Sequence, residues 1–547
     1  MSEIASNTLQ FSAQLTGSVI PAELLCDRHP GEGVAFTIID ADLQSRDLTY
    51  GWLKGRSEQA AAAFAALGVR PGDRVATLMG KSADLVAVLL GLWRVGAVHV
   101  PLFTAFATPA IKVRLERSGA GVVVVDASQR NKLAIDDLAQ NLGLQVIVAG
   151  ANETPNEGER DLAVLLDAQD TGFPAAERRG EDPLLEIFTS GTTGAPKGVA
   201  VPIAALNAFE AYHHYGLDVR EDDVFWNAAD PGWAYGLYYG ILGPLYTGRR
   251  NLMLCTGFNA ELCWQVLDKF RVTNFAAAPT IYRSLRAARP DGVPGLALQR
   301  ASSAGEPLDA DTMAWSTRGM GAVVRDHYGQ TEVGMCIVNG WHESIREEIE
   351  PGSMGRPFPG YKAAVLQMDS DEPAAPGTKG RLALDIPGSP LMWFSGYTNE
   401  PERTAERYSP DGRWYYTGDT GHVNETGRFF FSARDDDVII MAGYRIDPFE
   451  VESVLATHPL VAEAAVVGVP DEIRGERIEA YVVLTRTTAA SEELAAELQQ
   501  LVKTQYAAHA YPRAVHFVPE LPRTPSGKLQ RFILRQEHAK SGGGKTG

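Results

Sequence analysis

The stretch Thr189–Gly198, TSGTTGAPKG, decides the fold of this chain. It follows the mostly apolar run Leu184–Phe188, which is typical of a strand, and it contains three glycines, four hydroxyl side chains and one lysine. Glycines let the backbone turn tightly and aim its N–H groups at an anion. Hydroxyls and a lysine add further donors and a positive charge. This composition predicts a loop that holds phosphate groups.

The loop differs from the P-loop of common nucleoside triphosphatases, in which Gly-Lys is followed by Ser or Thr at the start of a helix. Here Lys197 stands between Pro196 and Gly198. The order of residues therefore indicates another type of nucleotide-binding fold. The simpler alternative is a flexible surface loop rich in Gly and Thr.

Strand and helix signals alternate through the first third of the chain. Arg74–Met79 and Val122–Asp126 have the pattern of short strands, and Ser57–Leu67 and Ser82–Val95 have the pattern of helices. This alternation is typical of an α/β fold with mostly parallel sheets. The polar residues 150–183 are predicted to be a surface excursion before the phosphate loop.

The chain has 547 residues, which is too long for one compact core. Three aromatic residues, Phe429–Phe431, are followed by the charged run Arg434–Asp437, which we interpret as a solvated connector. We therefore predict a large N-terminal domain, residues 1–434, of α/β layers with parallel or mixed sheets and a β subdomain. Residues 435–547 contain their own strand and helix signals and are predicted to form a small α+β domain.

The bulk composition excludes several classes of function. The formal net charge is −18, from 68 acidic and 50 basic residues, which disfavours nonspecific binding to nucleic acid or anionic membranes. The four cysteines have no paired spacing, so neither a disulfide framework nor a zinc site is indicated, and a reducing cytoplasm is expected. The apolar run Val86–Val95 is too short to cross a bilayer and contains Arg94. No secretory signal and no membrane insertion are predicted, and the oligomeric state is left open.

Five further segments accompany the phosphate loop in a fixed order: Ser303–Pro307 (SAGEP), Asp326–Glu332 (DHYGQTE), Tyr416–Asp419 (YTGD), Arg434–Arg445 and Pro525–Lys528 (PSGK). Together the six segments resemble the motifs of the adenylate-forming superfamily. That superfamily includes acyl-CoA synthetases, the adenylation domains of peptide synthetases and luciferases. The resemblance runs from about residue 45 to residue 532.

The resemblance implies a reaction in which a carboxylate and ATP give an acyl-adenylate and pyrophosphate. Lys197 would meet the departing phosphates, and Thr331 would donate to the α-phosphate. Glu332 is an oxygen ligand suited to Mg²⁺. Lys528 would bridge the attacking carboxylate and the α-phosphate. These four residues are the catalytic residues that the resemblance implies.

The same comparison implies how the nucleotide is held. Tyr328 offers a flat face to adenine, Asp326 lies near the adenine amine, and Asp419 and Arg434 meet the ribose. The full set of ATP- and AMP-binding residues is Thr189, Ser190, Gly191, Thr192, Thr193, Gly194, Lys197, Gly305, Glu306, Pro307, Asp326, Tyr328, Gln330, Thr331, Asp419, Arg434 and Arg445.

Acyl-CoA synthetases of this superfamily rotate the small domain after adenylation and then transfer the acyl group to coenzyme A. Asp436 corresponds to the pivot. Gly443 and Tyr444 belong to the loop that lines the path of the thiol, where a glycine allows close passage. Lys503 matches a basic position that meets the CoA nucleotide, and an exposed helix lysine is the alternative.

The acyl group is predicted from one segment and one glycine. Asp230–Gly236, DPGWAYG, resembles the Asp-x-Gly-Trp segment of acetyl- and medium-chain acyl-CoA synthetases. Acetyl-CoA synthetases usually have a tryptophan where this chain has Gly329. The acyl pocket is therefore expected to have room there for several additional methylene groups of the substrate. Tyr235 adds bulk to another wall, and core packing is the alternative role of Trp233 and Tyr235. Short- to medium-chain, branched and aryl acids are expected, with acetate or propionate as the alternative.

Two other functions compete with a CoA ligase. An adenylating enzyme could load a carrier protein instead, and a non-catalytic nucleotide sensor would be expected to have lost Lys197, Glu332 or Lys528. Pro522–Lys528 also fits the pattern at which some relatives are acylated by a lysine acyltransferase. That modification would remove the charge of Lys528 and stop adenylation.

Overall fold

The computed structural model describes residues 15–134, 137–150, 156–191, 194–305, 308, 310–434, 439–442, 444–446, 448–485, 490–522 and 531–541. Strands and helices alternate through most of this range. The strands are β1 Ser18–Val19, β2 Val34–Ile39, β3 Ser45–Thr49, β4 Arg74–Leu78, β5 Val98–Pro101, β6 Val122–Asp126, β7 Gln145–Ala149, β8 Glu159–Asp161, β9 Arg178–Arg179, β10 Pro183–Gly191, β11 Gly194–Pro202, β12 Phe225–Asn227, β13 Asn251–Leu254, β14 Asn274–Ala277, β15 Arg300–Ala304, β16 Val324–Gln330, β17 Gly334–Val338, β18 Ser353–Pro357, β19 Ala363–Leu366, β20 Gly380–Asp385, β21 Trp414–Val423, β22 Phe429–Arg434, β23 Ile439–Met441, β24 Tyr444–Ile446, β25 Val461–Asp471, β26 Gly475–Leu484 and β27 Ala514–Phe517.

The helices cover the sheets and are mostly short. They are α1 Tyr50–Ala66, α2 Ala83–Val95, α3 Thr108–Ser118, α4 Asn131–Ala134, α5 Leu138–Asn141, α6 Leu162–Asp167, α7 Ala205–Ala211, α8 Ala234–Leu237, α9 Gly243–Thr247, α10 Ala260–Lys269, α11 Pro279–Ala288, α12 Ala310–Met320, α13 Pro401–Ala405, α14 Pro448–Leu455, α15 Glu492–Gln505 and α16 Arg531–Ser541. Three π-helical turns, Glu23–Asp27, Tyr212–Gly216 and Tyr238–Leu242, add to them.

The first large sheet has the strand order β11-β10-β5-β4-β6-β7-β8. Its strands run parallel except for β11, which pairs antiparallel with β10 in a hairpin. The hairpin carries the TSGTTGAPKG stretch, with Thr189 opposite Lys197 and Gly191 opposite Gly194. The phosphate loop is therefore the tip of a hairpin and does not lead into a helix.

The second large sheet has the order β19-β20-β21-β22-β18-β17-β16-β15-β14-β12-β13-β2-β3. Its centre, from β2 through β13, β12, β14 and β15 to β16, is parallel. From β16 to β19 the strands pair antiparallel. Ligands of open α/β sheets bind at the carboxyl ends of parallel strands, so the end of β16 is a natural place for a site. The mixed α/β fold that the sequence predicts is confirmed.

Helices α1 and α2 show how the core is built. Ser82 accepts a hydrogen bond from the backbone N–H of Leu85 and so begins α2, and Gly96, with φ of +81°, ends it in the left-handed region. The helix packs against α1 so closely that a Cβ on Gly91 would lie 2.5 Å from the Cβ of Ala60. Only glycine allows this approach.

The polar segment before the phosphate loop contains regular elements. The sequence predicts that residues 150–183 are a surface excursion, yet the described residues 156–183 contain β8, α6 and β9. Leu162 and Leu166 of α6 are buried against the core of the first sheet. Two leucines within a polar run give too weak a pattern to predict a short amphipathic helix.

A third sheet, of β24-β23-β26-β25 with β27 beside β26, belongs to the C-terminal part of the chain. This part contacts the first sheet's helices directly: Ala107 donates to the carbonyl of Tyr506 at 2.6 Å, and Phe106 forms an isolated bridge with Ala507. Arg283 of α11 donates to the carbonyl of Ile473 at 3.1 Å. These contacts bring the β23–β24 hairpin to the carboxyl end of the large sheets.

No described helix has both the length and the apolarity needed to cross a bilayer. Among the described residues there is no group of three or more His, Cys, Asp or Glu side chains arranged to hold a metal ion. The four cysteines are free thiols, and all but Cys255 are buried.

Candidate active site

The DHYGQTE segment forms the end of β16 and binds a carboxylate on the neighbouring β21. The Tyr328 hydroxyl donates to Oδ2 of Asp419 at 2.5 Å, and Nε2 of Gln330 donates to the same oxygen at 2.7 Å. Gln330 also donates to the carbonyl of Thr417 at 2.8 Å. Asp419 is buried and lies opposite Arg434 in the β21–β22 pair. Two predicted nucleotide-binding residues, Tyr328 and Gln330, thus meet a third, Asp419, which follows them by 91 and 89 positions.

Burial of the Tyr328 ring, reinforced by the charge of Asp419, raises the pKa of its phenol well above the ordinary value. The hydroxyl therefore keeps its proton and acts as a donor to Asp419. One oxygen of Asp419 accepts both of these hydrogen bonds. A carboxylate fixed in this way is suited to the two hydroxyls of a ribose.

Glu332 follows β16 and is held by a tyrosine from a distant loop. The Tyr397 hydroxyl donates to Oε1 of Glu332 at 2.9 Å, and Nε of Arg407 donates to the Tyr397 oxygen at 3.1 Å. The Nζ atom of Lys197 lies 4.7 Å from the centre of the Tyr397 ring. Tyr397 therefore connects the cation of the phosphate loop with the carboxylate predicted to bind Mg²⁺.

Sequence reasoning missed Tyr397 and Arg407. Trp393–Tyr397 contains three aromatic residues among five, which reads as core packing. Burial and the charge of Glu332 raise the pKa of the Tyr397 phenol, so it donates to Glu332 as a neutral group. Burial alone would lower the pKa of Arg407, but the surrounding Tyr415, Tyr397 and Glu332 raise it. The guanidinium is a permanent charge at this end of the site.

The phosphate hairpin contributes two described side chains. Lys197 is 7% exposed, and the Oγ1 atom of Thr189 is buried without a hydrogen-bond partner among the described residues. A buried hydroxyl without a partner is costly, and a phosphate oxygen would satisfy it. The side chain of Ser190 is not described, the backbone of Gly191 and Gly194 closes the hairpin, and Thr192 and Thr193 lie outside the described residues.

The turn predicted to edge the adenine follows β15. Gly305 has φ of +103°, which favours glycine, and it is exposed. Asp326 on the adjacent β16 accepts a hydrogen bond from the N–H of Leu308 at 3.4 Å. Glu306 and Pro307 lie outside the described residues. Thr331 is half-buried, and its carbonyl accepts from the Tyr238 hydroxyl at 3.1 Å.

The DPGWAYG segment makes a tight turn into α8. The Asp230 carboxylate accepts from the N–H of Gly232 at 2.7 Å, and its carbonyl accepts from the N–H of Trp233 at 3.1 Å. A Cβ on Gly236 would lie 2.1 Å from the Asp230 carbonyl, so the turn requires glycine there. This turn places Trp233 and Tyr235, both half-buried, at the start of α8.

Gly329 has no room for a side chain in the direction in which its Cβ would point. A Cβ on Gly329 would lie 2.3 Å from the carbonyl oxygen of Gly334 and 2.6 Å from the methyl carbon of Met335. The β16–β17 pair is irregular at this point and brings the β17 backbone against Gly329. Gly329 therefore allows two strands to approach closely, and its predicted role in opening the acyl pocket stays a prediction.

Trp233 lies in an aromatic cluster that joins the two parts of the chain. Its ring centre is 5.0 Å from that of Phe103 and 5.8 Å from that of Tyr444. Tyr444 in turn packs on His509 at 3.9 Å, and Phe103 also contacts His509 at 5.7 Å. The predicted thiol-path residue Tyr444 is therefore brought against the predicted acyl residue Trp233. Phe103 and His509 were not predicted.

The predicted CoA residue Lys503 lies beside two unexpected partners. Its Nζ atom is 4.0 Å from the centre of the Tyr511 ring, and the guanidinium carbon of Arg513 is 3.7 Å from the same centre. Burial, and the neighbouring charge of Arg474 in part, lower the pKa of Arg513. Two cations on one tyrosine form a compact positive surface in a chain that is acidic overall.

Several predicted residues lie outside the described part of the chain: the pivot Asp436, the loop residue Gly443 and the lysine Lys528. The side chains of Arg434 and Arg445 are not described. Their backbones pair with Asp419 and with Ile440.

Comparison with protein families decides what kind of site this is. A family model described as AMP-binding enzyme matches residues 25–397, and the model of the C-terminal domain of AMP-binding enzymes matches residues 450–528. The chain belongs to the AMP-binding enzyme family.

Similar AMP-binding enzymes carry the names of acyl-CoA synthetases. The acetyl-coenzyme A synthetase of Bacillus subtilis is 34% identical over 95% of this chain and 91% of that protein. The mitochondrial acyl-coenzyme A synthetase ACSM3 of Mus musculus is 32% identical over 89% of this chain and 86% of that protein. The crystal structure of a Brucella canis acyl-CoA synthetase is 41% identical, with a TM-score of 0.73, over 97% of this chain and 96% of that one. This AMP-binding enzyme is a member of the acyl-CoA synthetases and is an ATP-dependent ligase.

The described residues fit the groups that such an enzyme uses. The Thr189 hydroxyl and Lys197 suit phosphate oxygens, and the Glu332 carboxylate is a hard oxygen donor suited to Mg²⁺. Lys503 and Arg513 would suit the phosphates of coenzyme A as positive charges. Mg²⁺ bound at Glu332 would supply neutralisation of phosphate charge.

Proposed function

We propose that this enzyme joins a small carboxylic acid to coenzyme A in two steps at one site. The observation that carries the proposal is the contact of Tyr444 with Trp233, at 5.8 Å between ring centres. It brings a residue of the predicted thiol path against the predicted acyl segment. An enzyme that stopped at adenylation would not need that contact.

In the first step a carboxylate oxygen attacks the α-phosphorus of ATP. The bond to the β-phosphate oxygen breaks, and pyrophosphate leaves with the electron pair. Lys197 offsets the charge that accumulates on the leaving group, and the hydroxyl of Thr331 donates to the α-phosphate. Lys528 steadies the attacking carboxylate. Asp419, held by Tyr328 and Gln330, fixes the ribose and so the position of the reacting phosphorus.

In the second step the thiol of coenzyme A attacks the acyl carbonyl, its proton is released, and AMP leaves. The small domain turns about Asp436 between the steps, which removes Lys528 and presents Tyr444. The packing of Tyr444 and His509 on Phe103 and Trp233 supports assigning the described arrangement to this second step. The compact positive surface at Lys503 and Arg513 would meet the nucleotide of coenzyme A.

The substrate belongs to the short- to medium-chain, branched or aryl acids. In this proposal Gly329 leaves the acyl pocket open while Tyr235 and Trp233 limit the acyl group, and a preference for acetate or propionate is the alternative. The free cysteines support a cytoplasmic location, although the relative from Mus musculus is named as mitochondrial. Acylation of Lys528 by a lysine acyltransferase would switch off the first step alone.

Pyrophosphate release with a panel of acids tests the proposal. The panel runs from acetate to decanoate with branched and aryl acids, each with and without coenzyme A. Sustained release that requires coenzyme A is expected for at least one class of acid. Release that is indifferent to coenzyme A would favour an enzyme that loads a carrier protein, and no release with any acid would refute the ligase.

A further inference from the structure

Three side chains from distant parts of the sequence form one hydrogen-bonded chain. The hydroxyl oxygens of Tyr235 in α8 and Tyr212 in the π-helical turn Tyr212–Gly216 are 3.0 Å apart. The Tyr212 oxygen lies 2.7 Å from Nδ1 of His327, and Nε2 of His327 lies 3.3 Å from the carbonyl oxygen of Asn339. Tyr212 and His327 are 0% and 2% exposed, whereas Tyr235 is only half-buried.

The carbonyl group of Asn339 determines where the protons lie in this series of hydrogen bonds. A carbonyl oxygen only accepts, so Nε2 of His327 carries a proton. Burial lowers the pKa of His327 to about 3, so the ring is neutral near pH 7 and carries no second proton. Nδ1 is therefore an acceptor, and the Tyr212 hydroxyl donates to it.

The hydrogen bond between Tyr212 and Tyr235 also has a defined direction. Tyr212 has one proton and gives it to His327, so toward Tyr235 it can only accept. Tyr235 must donate its own proton to Tyr212. What remains on Tyr235, the one half-buried member of the chain, is an oxygen lone pair. The fully buried end of the chain thus decides the hydrogen-bonding character of its accessible end.

We propose that the Tyr235 oxygen is a fixed hydrogen-bond acceptor in the wall of the acyl site and selects carboxylic acids whose chain carries a hydroxyl or N–H group. This inference rests on the proposed ligase function and on the position of Tyr235 two residues after Trp233. An oxo group at the same place would set its own acceptor oxygen against the Tyr235 oxygen. It would also lose its hydrogen bonds to water without replacement. A binding site that forms a hydrogen bond with one polar group of its substrate discriminates strongly against an analogue that cannot form this bond. It discriminates less against an analogue that differs only in size.

Matched acids of one skeleton test the proposal. The hydroxy, oxo and methyl acids are 3-hydroxy-, 3-oxo- and 3-methylbutanoate, the 4-substituted pentanoates and the 5-substituted hexanoates. In the presence of coenzyme A, kcat/KM for the hydroxy acid should exceed that for the oxo acid about tenfold at one of the three positions, since one hydrogen bond sustains a ratio of that order. The readout is the ratio within one protein, so differences in overall activity between variants do not matter.

Two variants separate a hydrogen-bonding role from packing. Tyr235→Phe removes the acceptor, and the hydroxy-to-oxo ratio should fall to within twofold. Tyr212→Phe removes the acceptor of the Tyr235 proton, so the Tyr235 hydroxyl can then both donate and accept, and the hydroxy-to-oxo ratio should also fall toward one. A role in packing alone would change the rate for all acids together and would leave the ratio unchanged.

The outcomes are distinct. Turnover of these acids with hydroxy-to-oxo ratios near one at all three positions would overturn the inference and leave the ligase standing. No turnover of any acid would overturn the ligase function and the inference with it. Where Tyr212→Phe does not fold, because Nδ1 of His327 is left buried without a donor, the loss of the ratio in Tyr235→Phe still decides.

Discussion

The hydroxyl of Tyr397 donates a hydrogen bond of 2.9 Å to Glu332, and its ring lies 4.7 Å from the Nζ atom of Lys197. One side chain from the loop before α13 thereby fixes both charges that an adenylating site needs. The carboxylate is aimed by a neutral donor, and the cation rests on a π face. Tyr397 is a positioning residue, and its effect on the reaction should pass through Glu332.

We predict that Tyr397→Phe lowers kcat/KM for acyl-adenylate formation about tenfold, because the orientation of Glu332 depends on this hydrogen bond. The loss should be partly restored by raising the Mg²⁺ concentration, which a general loss of folding would not show. Tyr408→Phe is the control, since Tyr408 donates only to the carbonyl of Phe394 at 2.9 Å. Equal effects of the two substitutions, both insensitive to Mg²⁺, would contradict the positioning role.

The two half-reactions should separate in two variants. Lys528→Ala is expected to abolish acyl-adenylate formation but to spare thioester formation from supplied acyl-adenylate, because Lys528 is withdrawn by then. Asp436→Pro, which restricts the backbone at the pivot, should do the reverse. Single-turnover assays of each half-reaction measure this directly. Equal loss of both steps in either variant would speak against domain rotation.

Gly329 should tolerate no side chain. Gly329→Ala is expected to lower the free energy of unfolding by about 1–3 kcal/mol, because the new methyl group would meet the Gly334 carbonyl at 2.3 Å. Gly121→Ala is the matched control, since nothing lies within 4 Å of the Cβ that it would add. Chemical denaturation of both variants measures the difference. An unchanged midpoint for Gly329→Ala would mean that β17 moves aside and that the space beside Gly329 can open.

His509 should make the protein less stable in acid. Burial, with a smaller contribution from Arg513, lowers the pKa of His509 to about 3, below its ordinary value of 6.5. The native state therefore holds the ring neutral while the unfolded state takes up a proton as the pH falls. The stabilisation is present above pH 6.5 and is lost as the pH falls from 6.5 toward 3, at up to about 1.4 kcal/mol per pH unit.

The measurement is the free energy of unfolding between pH 7.5 and 4.5 for the native protein and for His509→Phe, which keeps a ring against Tyr444. The variant should show a shallower decline with acid. His99, His213 and His327 are also buried and have lowered pKa values, so part of the decline will remain. Identical slopes would show that His509 already protonates in the native state.

The sequence predicts the chemistry of this site better than its walls. The phosphate loop and the DHYGQTE and YTGD segments are local patterns, and Tyr328, Gln330 and Asp419 do meet as hydrogen-bonded partners. Strand–helix alternation likewise predicts the fold class, and the expected helix Ser82–Val95 differs from α2 by one residue. Each of these signals lies within a short window of the chain.

The failures concern contacts made across the sequence. The close approach of β17 to Gly329 is missed because an irregularity in the β16–β17 pair places Met335 against it, and no local pattern shows such a shift. Tyr397 is missed because its partner Glu332 is 65 positions away. The link between Tyr212 and His327 spans 115 positions. Pairings of this kind arise from the register of the sheet and from side-chain packing.

The most direct test of the proposed function follows one turnover by mass spectrometry, with enzyme in excess over a preferred acid and ATP present. Without coenzyme A, we predict that acyl-AMP accumulates on the enzyme. Adding coenzyme A should convert it to acyl-CoA with stoichiometric release of AMP. Acyl-AMP that forms but persists after coenzyme A is added would contradict the ligase, since the Tyr444–Trp233 contact would then serve no transfer to this thiol.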